Sequence, residues 1–179
     1  LHNGVIAGTV TWSLLGQHNV DNALMAIAAA HHAGVTLPDA IEALSFFKNV
    51  KRRMEVKGEV NNITLYDDFA HHPTAIATTL DGLRKKVGNS RILAVLEPRS
   101  NTMKMGVHKD TLANSWQKAD KVYLYEPEGM DWSLVDSVAH SNAPTHCFRD
   151  VEKIVQGVCN VAQPGDHILV MSNGGFEGI

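Results

Sequence analysis

Two carboxylates and two imidazoles fall within Tyr66-Asp67-Asp68-Phe69-Ala70-His71-His72-Pro73. Such a cluster can bind a metal ion, move protons or hold a nucleotide. A catalytic zinc needs several nitrogen or sulfur ligands converging, and adjacent histidines rarely turn both rings to one ion, so no metal is assigned here. An aspartate just past a strand can instead accept hydrogen bonds from ribose hydroxyls. The plainer alternative is that His72-Pro73 starts a helix while Asp67 closes a turn. Local features divide evenly between the two.

Three further groups could do chemistry. Asn19 and Asn22 in Gly16-Gln17-His18-Asn19-Val20-Asp21-Asn22 stand three apart at a helix start, on one face. Asparagine offers the donor and acceptor that an adenine edge requires, although spacing alone favours Asn19 as a simple helix cap. Arg99 could grip a carboxylate or phosphate with two parallel N–H groups, Ser100 and Asn101 adding donors, or it could be an ordinary solvated loop arginine. Ser172-Asn173-Gly174-Gly175 resembles an anion-binding nest, in which glycines let successive N–H groups face one ligand. It matches neither a P-loop nor a dinucleotide fingerprint.

The elements that must position these groups follow from periodicity. Residues 4–15 read as short strand-like pieces, residues 20–32 as an alanine-rich helix, and a second helix begins near Pro38 with Ile41, Leu44 and Phe47 on one face. This section reads as the tail of a preceding domain, with a boundary in 48–53. Beyond it, strands are expected at 54–60, 63–66, 92–96, 122–125, 145–148 and 168–171. Helices are expected at 74–86, 108–118, 133–139 and 151–161. Short apolar strands alternating with amphipathic helices imply an α/β, Rossmann-like, mostly parallel sheet with helices on both faces. The polar loops at 67–72, 97–101, 126–128 and 172–175 then share the carboxyl edge of that sheet, where open α/β proteins bind ligands.

Composition narrows the classes further. Of 179 residues, 44% are apolar and 20% charged, enough to bury a core. The 16 basic and 19 acidic side chains leave a formal charge of −3, too balanced for a nucleic-acid footprint. No apolar stretch reaches membrane-span length, so no membrane insertion is expected. Cys147 and Cys159 fit a reducing compartment, where they serve as small core residues rather than a disulfide. The chain starts without methionine and stops after a glycine-rich loop, so both ends are expected to be cut from a longer protein.

Taken in order, Gly16-x-His18-Asn19-x-x-Asn22, Arg52-Arg53-Met54-Glu55 and the Tyr66–Pro73 cluster resemble motifs of the Mur ligases, the ATP-dependent amide-forming enzymes of peptidoglycan synthesis. The segments 96–106 and 166–176 resemble the branch that attaches a peptide, rather than L-alanine, to UDP-N-acetylmuramate. The resemblance implies residues 1–50 as the end of the central ATP-binding domain and residues 51–179 as the peptide-binding C-terminal domain. It implies that Asn19 and Asn22 face adenine with His18 nearby, and that Arg53 and Asp68 hold ribose and phosphates. His71 and His72 are implied to line the cleft near the reacting groups. Arg99, Ser100, Asn101, Ser172, Asn173, Gly174 and Gly175 are implied to receive peptide carboxylates. ATP, UDP-N-acetylmuramate and the tripeptide L-alanyl-γ-D-glutamyl-meso-diaminopimelate are the implied substrates, with Mg²⁺ held mainly by the central domain. A cytoplasmic recycling ligase is the implied whole, its P-loop lying outside this chain. Two residues depart from the pattern: Gln17 stands where arginine is common, and Glu177 where glycine is expected. Two alternatives are an L-alanine ligase and a non-catalytic ligand-binding module.

Overall fold

Ile92–Leu96 is continuously apolar and becomes strand β3 at the centre of a six-stranded sheet, with all five residues buried. In the computed structural model, which describes residues 2–130, 132–139 and 141–179, the chain divides into two compact units between Val50 and Lys51.

The first unit contains helices α1 (Gln17–His32) and α2 (Leu37–Ser45). Thr36 caps α2 by accepting the Asp39 N–H at 3.3 Å, and Pro38 occupies the first turn, where its missing N–H costs nothing. Among its described residues, only Ala23 and Ala40 are buried. The strands expected in 4–15 do not form. Among the described residues of this unit, an isolated bridge between His2 and Val5 is the only strand-like pairing, and no neighbouring ladder is present to extend it.

The second unit holds β1 (Glu55–Val60), β2 (Ile63–Asp68), β3, β4 (Lys121–Tyr125), β5 (Thr145–Phe148) and β6 (His167–Met171). Their order in space is β1-β2-β6-β3-β4-β5. Asn61 and Asn62, at φ 51° and 60°, make the tight turn that folds β1 antiparallel onto β2. Every other pairing is parallel. Alternate residues of β3 serve opposite faces. Ile92, Ala94 and Leu96 pack with Ile76, Leu80 and Leu83 of α3 (Pro73–Val87) and with Trp116. Leu93 and Val95 pack with Ile154 and Val158 of α7 (Val151–Cys159) and with Phe176.

The single helix expected over 108–118 is broken. A short α4 (Asn101–Lys104) and α5 (Lys109–Leu112) precede a 3₁₀ turn over Ala113–Trp116. Gly106 separates the two short helices at φ 73°, and any Cβ there would stand 2.9 Å from the Trp132 ring. That ring is anchored by its N–H donated to the Met103 carbonyl at 2.7 Å. α6 (Leu134–Val138) completes this face. Both cysteines are free thiols; Cys147 is half-buried, and burial pushes its pKa to about 11. Cys159 is exposed at the end of α7, not in the core as its apolar character suggested. Among the described residues, no helix is long and apolar enough to cross a membrane.

Candidate functional site

Parallel register sets the last residues of β2 and β3 on either side of the end of β6: Asp68 and Leu96 both pair with Met171. The loops after these strands therefore emerge side by side. Backbone bonds stitch them together, with Ser172 N–H donating to the Asp68 carbonyl at 3.1 Å and Glu97 N–H to Met171 at 3.0 Å.

Asp68 is 3% exposed, and both of its carboxylate oxygens accept hydrogen bonds. It accepts the Met54 and Ala70 N–H groups at 2.8 Å each and the Thr79 hydroxyl at 3.3 Å. It ties the entry to β1, the loop after β2 and helix α3 to one point. These three bonds use most of the roughly four acceptor sites of a carboxylate. In this conformation Asp68 supports the loop rather than reaching out of it.

His71 is half-buried, and its Nδ1 lies 3.0 Å from the Phe69 carbonyl. His72 is exposed and caps α3, its Nδ1 accepting the Thr74 N–H at 3.4 Å. Its ring meets His108 edge-on at 4.4 Å between centroids. His71 also borders a small cavity with Glu97, Met103, Leu112 and Trp116. The structure thus has His72 at the start of α3, as its helix cap.

Arg52 and Arg53 both lay their guanidinium groups against Phe69, at 5.5 and 5.4 Å from the ring centre. The Phe69 N–H donates to the Arg52 carbonyl at 2.8 Å, so this junction packs on the loop after β2.

At the neighbouring strand end, Ser172 is 1% exposed. Its hydroxyl donates to Glu97 through a short bond and accepts the Gly174 N–H at 2.9 Å. Ser172 is therefore spent inside the protein, supporting residues 173–175 rather than presenting its own hydroxyl. Arg99 is exposed, its Nη1 3.9 Å from the Glu97 carboxylate. It lies across Gly174 so closely that a Cβ there would sit 2.3 Å from Nη1, and the guanidinium would have to shift to admit one. Asn173 Oδ1 is buried with no hydrogen-bond partner. Ser100 faces Thr102 at 3.2 Å between hydroxyl oxygens, and exposed Asn101 opens α4.

Glu177, where glycine was expected, sits at φ 49°, in the left-handed region that glycine enters without strain. It accepts the Tyr125 hydroxyl at 2.7 Å, and this bond, with burial, pushes the Tyr125 pKa up to about 12. Glu97, Arg52 and Tyr125 received no role from sequence. The available signal was a charged residue directly after the wholly apolar β3, since Glu97 is only 4% exposed.

In the first unit, α1 starts one turn earlier than its apolar spacing suggested, with Gly16 as cap residue at φ 87°. Asn19 is thus inside the helix and is not its cap; its amide donates back to the Leu15 carbonyl at 2.7 Å. His18 and Asn22 are exposed one turn apart, and Gln17 bonds Asp21 at 3.0 Å. Among the described residues, no cluster of three or more His, Cys, Asp or Glu is placed to hold a metal ion.

Sheet order and loop convergence define an open α/β domain with a polar carboxyl edge built from three adjacent strand ends. The Mur ligase, glutamate ligase domain matches residues 52–174, and the chain belongs to the Mur ligase family. It is 56% identical over 99% of its length to the UDP-N-acetylmuramate–L-alanyl-γ-D-glutamyl-meso-2,6-diaminoheptandioate ligase of Haemophilus influenzae, covering 40% of that protein. It is 33% identical to the UDP-N-acetylmuramate–L-alanine ligase of Roseiflexus castenholzii, over 94% of this chain and 37% of that one. Among solved structures it resembles a murein peptide ligase of Psychrobacter arcticus, at TM-score 0.74 and 50% identity, covering 94% of this chain and 36% of that one. The chain thus spans about 40% of the length of the relative from Haemophilus influenzae.

Proposed function

We propose that this chain is the C-terminal part of an ATP-dependent ligase that joins L-alanyl-γ-D-glutamyl-meso-diaminopimelate to UDP-N-acetylmuramate in cytoplasmic peptidoglycan recycling. The observation that carries this reading is the 56% identity, along essentially the whole chain, to a ligase named for that peptide. The L-alanine ligase stands well below it at 33%.

In this reading the muramate carboxylate attacks the γ-phosphorus of ATP, giving an acyl phosphate and ADP. The peptide amine then attacks the acyl carbon, and phosphate leaves. Chemistry of this kind depends chiefly on holding reactants in line and stabilising charge. Residues 1–50 are assigned to the end of the central ATP-binding domain. This is supported by their sparse core, with Leu24, Met25 and Phe46 at 58%, 71% and 76% exposed. Exposed Asn22 and His18 and half-buried Asn19 are assigned to adenine, and Arg53 to the ribose and phosphates, with Asp68 acting through the loop it holds. His71 and His72 are assigned to the cleft. Arg99, Ser100, Asn101 and the Ser172–Gly175 turn are assigned to the peptide carboxylates, Ser172 by support. Mg²⁺ is assigned mainly to the central domain with ATP, and Asp68 to protein donors.

The test is ADP release by the full-length protein with UDP-N-acetylmuramate and either tripeptide or L-alanine. Turnover with tripeptide and none with L-alanine is expected. The reverse preference overturns the peptide assignment, and turnover with neither overturns the ligase. The 179-residue chain alone is expected to release no phosphate.

A further inference from the structure

Arg52 joins three separate pieces of the second unit. Its Nη2 donates to the Ser172 carbonyl at 2.6 Å, and its Nε lies 3.4 Å from Asp67. Its guanidinium stacks on Phe69, beside Arg53 on the same ring. Its backbone is equally fixed, with N–H donated to Glu55 at 2.9 Å and its carbonyl accepting from Phe69 at 2.8 Å. All this is done at φ 58°, a left-handed conformation that a non-glycine residue occupies only when its surroundings impose it.

Two side chains thereby grip Ser172. Arg52 holds its carbonyl from the side of β2, and Glu97 holds its hydroxyl from the side of β3. Between the two grips the chain turns into Asn173-Gly174, and Arg99 lies directly over Gly174. Where that turn sits is therefore set partly by a residue of the 51–54 junction, far from it in sequence.

We propose that Arg52 is a positioning residue for the peptide-side turn Ser172–Gly175. It carries the placement of the junction to the surface that receives the incoming peptide. The inference rests on the peptide-ligase reading above. It assigns Arg52 no contact with nucleotide or peptide, in contrast to its neighbour Arg53. Because a carbonyl is the acceptor, the link depends on the identity of residue 52 and not on that of residue 172.

The full-length ligase carrying Arg52→Ala is compared with wild type for both substrates. Alanine at φ 58° bears the same backbone strain as arginine, so the change isolates the side chain. The peptide KM is expected to rise about 10-fold, since small misplacements of a binding group are costly, while the ATP KM changes less than about 2-fold. Arg52→Lys is expected to fall between, because an ammonium group can reach the Ser172 carbonyl but not Asp67 at the same time. A merely structural loss would lower active-enzyme concentration and leave both KM values alone. That result overturns the proposal, as does a rise in ATP KM with the peptide KM unmoved.

A second readout does not depend on ligase activity. Hydrogen exchange at Gly174 N–H in the 179-residue chain is expected to quicken at least several-fold in Arg52→Ala while the amides of β3 keep their protection. Unchanged exchange at Gly174 overturns the proposal even if the ligase works. Faster exchange there with a wild-type enzyme that ignores the peptide sustains Arg52's grip on the turn and sinks the peptide reading instead.

Discussion

The two units of this chain form helices equally well and are held together very differently. In residues 2–50, α1 and α2 are regular, yet among the described residues only two alanines are buried there. In residues 51–179, apolar side chains fill both faces of the sheet, and Trp116, Leu80, Leu83, Ile92 and Leu134 have no exposed surface. The contrast separates two sources of order. Caps, a proline in the first turn and a run of alanines are enough to select a helix. They supply little stability, since most of a helix's stability in proteins comes from packing its apolar face. Strands are stricter, which explains why 4–15 makes none while the second unit makes six.

The largest expected effect tests that contrast directly. Trp116→Ala is expected to cost about 3–5 kcal/mol of unfolding free energy, from lost burial and the cavity left behind. The indole N–H bond to Ser141, at 2.8 Å, goes with it. Leu24→Ala in the first unit is expected to change the same quantity by less than about 0.5 kcal/mol, because that side chain is already 58% exposed. Chemical denaturation of the two variants decides it. Comparable losses at both positions would show a buried core in the first unit that the structure does not contain.

The next effect concerns polar groups within the packed unit. Asp68→Ala strips the Met54 and Ala70 N–H groups of their acceptor inside a site that is 3% exposed. An unmet buried donor costs about 1–3 kcal/mol, so about 2–4 kcal/mol is expected for the variant. Asp68→Asn keeps one acceptor oxygen and is expected to lose about half as much. Equal stability of wild type and Asp68→Ala would mean that the carboxylate is held ready for a ligand instead of for the fold.

Much of this was readable in advance, for identifiable reasons. β3 falls on its expected residues because continuous apolar character leaves a short strand no other placement, and β5 also forms over its expected residues 145–148. The shared carboxyl edge followed from alternation of strand and helix alone. The helix expected over 108–118 is shortened to 109–112 and passes into a 3₁₀ turn, because Trp116 is drawn into the core, a tertiary contact that local periodicity does not show. At the candidate site, residue types single out Asp68, Arg99 and the Ser172 turn for attention, but types cannot show which polar groups are spent on one another. Glu97 is unremarkable in sequence and is found under Ser172 only when β3 and β6 are laid side by side. Asn19 showed the same limit in the first unit, since its role turned on where α1 begins.

The smallest expected effect asks how far the order of the packed unit reaches toward its last residues. Phe176 is buried against Tyr125, and Glu177 accepts the Tyr125 hydroxyl from a left-handed backbone position. The carboxylate and burial together raise the Tyr125 pKa to about 12, against about 10 for a free phenol. A raised folded-state pKa means that the native state holds the proton more tightly. The associated stability is therefore complete below about pH 10 and is lost as pH rises from there through the folded value. Glu177→Gln removes the negative charge while leaving an oxygen to accept the bond, and is expected to bring the Tyr125 titration down toward pH 10. Phenolate absorbance in an alkaline titration follows it, with Tyr125→Phe identifying which of the three tyrosines is responsible. If the Tyr125 step stays near 12 in Glu177→Gln, burial alone sets it, and the final turn contributes nothing to the sheet edge it touches.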